Sequence, residues 1–120
     1  MANVMIVDDA SFMRVSIRQM IESHDYKIIA EAGDGEEAVE LFKKFRPEII
    51  TMDITMPVMS GIEALKEIKK IDKDVKILMV SAMGQENLIR EAIMNGASSF
   101  IVKPFQKEKL IEVLDKISKL

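Results

Sequence analysis

Val4-Met5-Ile6-Val7-Asp8-Asp9 opens the chain with four apolar residues that run straight into two carboxylates. A short, wholly apolar run suits a strand covered on both faces, as in a parallel α/β sheet. The pattern returns three times. Residues 49–52 run into Asp53, residues 77–80 into Ser81, and residues 100–102 into Lys103. If these strands lie parallel in one sheet, the polar groups meet at its carboxyl edge, where open α/β sheets place their sites. Three carboxylates, a hydroxyl and an ammonium then share one pocket, a grouping suited to a divalent cation and a phosphoryl group.

Between the runs the apolar spacing turns helical. Met13, Ile17, Met20 and Ile21 form one stripe, and Ala38, Leu41, Phe42 and Phe45 a second. Ala64, Leu65, Ile68 and Ile71 form a third, Leu88, Ile89, Ala92 and Ile93 a fourth, and Leu110, Val113, Leu114 and Ile117 a fifth. Residues 27–32 alternate more than the other runs and are expected at a sheet edge. Ser60 and Glu63 are spaced as a capping box, and Asp34 and Glu37 resemble another. Pro47 cannot continue the second helix, and Asn95-Gly96 suits a left-handed stop to the fourth. The expected fold is α/β, a (βα)5 doubly wound five-stranded parallel sheet with right-handed crossovers.

Composition sets the bounds. At 120 residues the chain is expected to form one domain, 1–120. Apolar residues make up 48% and charged residues 31%, which fits a globular protein and argues against disorder. The formal charge of −3, with Lys and Arg spread along the chain, gives no nucleic-acid footprint. Cysteine is absent, so disulfides, thiolate metal sites and cysteine nucleophiles are excluded. No basic n-region precedes the first apolar run and no segment has the length of a membrane span, so a cytoplasmic location and no membrane partner are expected. Ten methionines against five Phe and one Tyr suggest a pliable aliphatic core.

Asp53 is the candidate nucleophile, because a carboxylate can attack phosphorus to form an acyl phosphate. Asp8 and Asp9 beside it crowd negative charge, which raises carboxylate pKa values unless a cation offsets them. Mg2+, which prefers hard oxygen ligands, fits, and the backbone carbonyl of Thr55 is close enough in sequence to contribute. Lys103 can neutralise phosphoryl oxygens, and Ser81 can donate to one. Taken singly, Ser81 is an ordinary strand-end hydroxyl and Lys103 an ordinary surface lysine. The combination across four strands carries the weight. His24, the sole histidine, is expected at the surface near the end of the first helix.

The segments MIVDDASFMR (residues 5–14), TMDITMPVMSGIEAL (51–65), MVSAMGQ (79–85) and FIVKPF (100–105) resemble the receiver domains of two-component response regulators. The likeness spans essentially the whole chain and is nearest to the single-domain chemotaxis members. It implies a flavodoxin-like strand order of 2-1-3-4-5. It implies that Asp53 accepts a phosphoryl group from a histidine kinase of the CheA type, with no separate enzymatic turnover. Asp9, Asp53 and the Thr55 carbonyl would bind Mg2+ directly, and Asp8 through water. Lys103 would contact the phosphoryl group, and Ser81 and Phe100 would be the switch pair. The readout would be the face of the fourth helix, fifth strand and fifth helix, where Arg90, Met94 and Phe100 would meet a motor-switch or adaptor protein, with the chain itself monomeric. The resemblance also favours a cis Lys103-Pro104 bond.

Two departures stand out. Many members carry Thr where this chain has Ser81, which keeps the hydroxyl. The enteric motor-binding member carries Tyr where this chain has Phe100, so its partner contacts do not transfer. Two other classes compete. Phosphatases of the haloacid-dehalogenase type need a second Asp two residues after the nucleophile, where this chain has Thr55. A flavodoxin-like cofactor binder would not put Asp8 and Asp9 against a phosphate.

Overall fold

The five apolar runs are strands of one sheet in the computed structural model, which describes residues 2–120. Strands β1 (Ala2–Val7), β2 (Tyr26–Ala32), β3 (Ile49–Asp53), β4 (Lys76–Ser81) and β5 (Ser99–Val102) alternate with helices α1 (Ser11–Ile21), α2 (Gly35–Phe45), α3 (Gly61–Ile71), α4 (Glu86–Met94) and α5 (Lys107–Ser118). Every strand pair is parallel and the order is β2-β1-β3-β4-β5, as expected, with β2 at an edge. The chain steps from β1 outward to β2, then returns past β1 to β3. The switch point therefore falls between the ends of β1 and β3, where such sheets open a crevice. Two strands run one residue further than the apolar runs suggest, so Asp53 and Ser81 are the last residues of β3 and β4 rather than the first beyond them.

Strand periodicity sorts the core into two layers. Met5, Val7, Ile50, Met52, Ile77 and Met79 point to the side covered by α2, α3 and α4. Val4, Ile6, Ile49, Leu78, Val80 and Ile101 point to the side covered by α1 and α5. Met5, Met52 and Met79 are all fully buried, so these methionines fill the core. Phe42 is the largest fully buried side chain, and its truncation to Ala is worth about 3–5 kcal/mol in lost burial and cavity formation.

Two stripes read from sequence are only partly buried. Phe45 is half-exposed, and Val39 takes a core place beside Ala38 and Phe42. On α4 only Ala92 is fully buried, while Leu88 and Ile93 are partly exposed. That helix lies over the sheet edge, where β5 has only four residues to cover it.

The helix starts position the loops around the crevice. The Ser60–Glu63 capping box is reciprocal, with Glu63 N donating to Ser60 Oγ at 3.2 Å and Ser60 N to Glu63 Oε1 at 3.4 Å. At α2, Asp34 accepts from Glu37 N at 2.8 Å, but the Glu37 carboxylate reaches one residue further back, to Gly33 N. Gly61 N donates to the Ile54 carbonyl at 2.7 Å, folding the β3–α3 loop back on its own strand. A Cβ at Gly61 would run into the Asp53 carbonyl oxygen, so only glycine permits this approach.

Candidate functional site

Asp8 leaves β1 buried and fully engaged. Its Oδ1 accepts from Ala10 N at 2.9 Å, its Oδ2 lies 3.1 Å from Lys103 Nζ, and its carbonyl accepts from Arg14 Nη1 at 2.5 Å. Asp9, one residue on, is exposed, as alternation at a strand end requires. Asp53 ends β3 with 8% of its surface exposed, and its Oδ1 lies 3.7 Å from Lys103 Nζ. Each of Asp8, Asp9 and Asp53 offers a carboxylate oxygen within 4.8 Å of those of the other two. The topology thus brings together acids separated by 45 positions in sequence.

Asp53 carries the electrostatic consequence. Burial pushes its carboxyl up to about 6, the Asp8 charge adds to the rise, Lys103 opposes it and Asp9 adds a little more. Three hard oxygen donors, one of them a carboxyl raised by burial and by its acidic neighbours, are a donor set that a divalent cation would satisfy.

Ser81 is fully buried at the end of β4, and its Oγ has no hydrogen-bond partner among the described residues. A buried polar group without a partner is worth about 1–3 kcal/mol of lost stability. Lys103 follows β5, its N–H donates to the Ser81 carbonyl at 2.8 Å, and the Lys103-Pro104 bond is cis. Thr55 lies in the β3–α3 loop, and its Oγ1 accepts from Gln85 Nε2 at 2.9 Å.

Phe100 stands apart from the acids. It sits mid-strand in β5, opposite Met79, with 43% of its surface exposed. It lines two surface grooves. One, of about 480 Å³, includes Ala82, Met83, Ile89 and Arg90. The other, of about 760 Å³, runs along β5 and α5 past Pro104, Lys109 and Lys116. Arg90 therefore shares a groove with Phe100, while Met94 is exposed further along α4. His24 is exposed in the turn after α1, far from the acids in sequence.

Two contributors were not singled out from sequence. Arg14 holds the Asp8 carbonyl and reaches Glu31 at 3.5 Å. Gln85 bridges two loops. Both lie within the motifs quoted above, but neither residue type signals such a contact by itself.

A sheet of this order with acids, hydroxyl and lysine at one edge defines a class. The chain belongs to the response regulator receiver domain family, whose model matches residues 4–115. It is 53% identical over 116 residues to the chemotaxis protein CheY of Thermotoga maritima, covering 97% of each chain. It is 50% identical over 113 residues to CheY of Bacillus subtilis, covering 94% of each. Its structure matches a chain of the CheX–CheY–BeF3–Mg2+ complex of Borrelia burgdorferi with a TM-score of 0.93 at 39% identity, covering 98% of this chain and 89% of that one. It is thus a CheY-type receiver domain of two-component signalling, a signalling protein rather than an enzyme in the ordinary sense. Among the described residues, no helix is long and apolar enough to cross a membrane.

Proposed function

We propose that this protein is a chemotaxis response regulator that takes a phosphoryl group from a histidine kinase onto Asp53 and thereby changes its affinity for an output partner. The observation that carries the reading is the buried Asp53 carboxylate, crowded by Asp8 and Asp9 and faced by the Lys103 ammonium. An Asp53 carboxylate oxygen attacks the phosphorus of a kinase phosphohistidine. The new O–P bond forms as the P–N bond breaks, and the departing imidazole takes up a proton. The product is an acyl phosphate, opened later by water at phosphorus to return the carboxylate and inorganic phosphate.

Asp9, Asp53 and the Thr55 carbonyl would hold Mg2+, with Asp8 acting through water. When bound, that ion supplies charge neutralisation to the phosphoryl oxygens. Lys103 adds a point charge from its own side of the pocket. The Ser81 hydroxyl, buried and without a partner among the described residues, donates to a phosphoryl oxygen once one arrives. The inward shift of Ser81 opens space that lets Phe100 turn from its half-exposed position. The new charge thus biases a two-state element.

The output face is α4–β5–α5, with Phe100, Arg90 and Met94 as contacts for a motor-switch or adaptor protein. The kinase is of the CheA type, the receiver acts as a monomer, and the setting is the cytoplasm. Intact-mass measurement after incubation with acetyl phosphate and Mg2+ tests the reading. One phosphoryl group per chain is expected, lost on chelation of the metal and in Asp53→Asn. No mass gain from any phosphodonor in Mg2+ would sink it.

A further inference from the structure

The loop after β4 is tied to the loop after β3 by a single side chain. Gln85 Oε1 accepts from Ala82 N at 2.7 Å, and Gln85 Nε2 donates to Thr55 Oγ1 at 2.9 Å. Gln85 is the residue preceding the first turn of α4, where a side chain ordinarily caps the helix. Here it makes no capping bond and α4 starts without one among the described residues. The amide group is therefore committed to the cross-loop bridge.

That bridge lies at a sensitive place. Ala82 directly follows Ser81, whose buried hydroxyl has no partner among the described residues, and Thr55 is two residues from Asp53. Between Ala82 and Gln85 stands Gly84, with φ of 88° and nothing within 4 Å of where a Cβ would be. Gly84 thus faces open space, and the two Gln85 side-chain bonds tie the segment to Ala82 and to the neighbouring loop.

We propose that Gln85 is a positioning residue that latches the β4–α4 loop in its resting arrangement and so opposes the movement of Ser81 toward a phosphoryl group on Asp53. The inference rests on the phosphorylation reading above. Ala82 N–H cannot follow Ser81 inward and keep its bond to Gln85 Oε1, whose other end is fixed on Thr55. Gln85 thereby sets how much of the free energy of phosphoryl binding is spent on reshaping the loop.

Beryllofluoride with Mg2+ serves as the phosphoryl probe, compared in wild type, Gln85→Leu, Thr55→Val and the double variant. Gln85→Leu is expected to bind about fivefold more tightly, the size of one released hydrogen bond. Thr55→Val removes the far end of the latch and is expected to move the same way. The double variant should gain less than the product of the two singles, as for residues acting as one unit. Amide hydrogen exchange of Ala82, followed by NMR without metal or probe, should quicken in Gln85→Leu while that of core amides such as Met79 stays unchanged. Unchanged or weaker beryllofluoride binding by Gln85→Leu overturns the latch, as does unchanged Ala82 exchange. Wild-type protein that binds no beryllofluoride at all overturns the phosphorylation reading itself, and the latch with it.

Discussion

Lys103 Nζ lies 3.1 Å from Asp8 Oδ2 and 3.7 Å from Asp53 Oδ1, so its shorter ion pair is with the buried neighbour of Asp53 rather than with Asp53 itself. One ammonium thus partly offsets two carboxylates that would otherwise repel each other in a shielded crevice. Substitution Lys103→Met keeps the aliphatic stem and removes the charge. The carboxyl of Asp53 should then titrate above its present value of about 6, since the larger of the two influences that lower it is gone and only the Ile54 backbone hydrogen bond still opposes the rise. Carboxyl 13C NMR across pH reports this directly. A curve that stays put or moves down would show that Lys103 does not couple to Asp53.

The Asp53 carboxyl sits above its ordinary 3.8, so folding favours its protonated form. For a raised acid, the stability contribution is present below about pH 4 and is lost as pH rises through about 6. Replacement by Asn removes the loss. In metal-free buffer at pH 7, Asp53→Asn should be more stable than wild type by about 1–3 kcal/mol, following from a shift of about two units. The gap should close as pH falls toward 4, and Mg2+ should raise the wild-type Tm more than that of the variant. Parallel melting curves for the two proteins at every pH would contradict this.

Tyr26, at the start of β2, donates its hydroxyl to Asp115 Oδ1 of α5 at 2.5 Å. Burial, and then that bond and the Asp115 charge, push the phenol up to about 12. The stability it contributes is present below about pH 10 and is lost as pH rises from there through about 12. As the chain has one Tyr and no Trp, tyrosinate absorbance near 295 nm reads this group alone. The titration should fall well above that of free tyrosine in native protein and return to about 10 in denaturant. Tyr26→Phe should destabilise by about 1–2 kcal/mol in urea titration, since Asp115 loses its donor.

Val58, in the β3–α3 loop, has φ of 68° and is 76% exposed. A β-branched residue in the left-handed region stores strain of about 1–3 kcal/mol with no burial to offset it. Asn tolerates that backbone, so Val58→Asn should raise stability by about 1 kcal/mol in denaturant unfolding. A destabilised variant would mean that the valine side chain makes a contact of its own.

Much of the architecture is written locally. Four-residue apolar runs such as residues 4–7 report a strand buried on both faces because burial is set by each strand's own side chains. The Ser60–Glu63 box reports a helix start because both partners lie three residues apart. Asp8, Asp9, Asp53, Ser81 and Lys103 could be gathered in advance because parallel strands share one carboxyl edge. Phe45 and the outer flank of α4 are more exposed than their spacing implies, because helical spacing says which side of a helix is apolar, not how much sheet lies beneath it.

By itself, the order of residues determined the alternation of strands and helices and the kinds of group gathered at the carboxyl edge of the sheet, since these follow from local periodicity and chemistry. Only the tertiary structure decided how those groups divide their charges. The Lys103–Asp8 ion pair, the raised carboxyl of Asp53 and the Gln85 bridge from Ala82 to Thr55 depend on distances between segments far apart in the chain. Coulomb and hydrogen-bond energies change steeply over a single ångström in a shielded crevice, and no local pattern encodes that spacing.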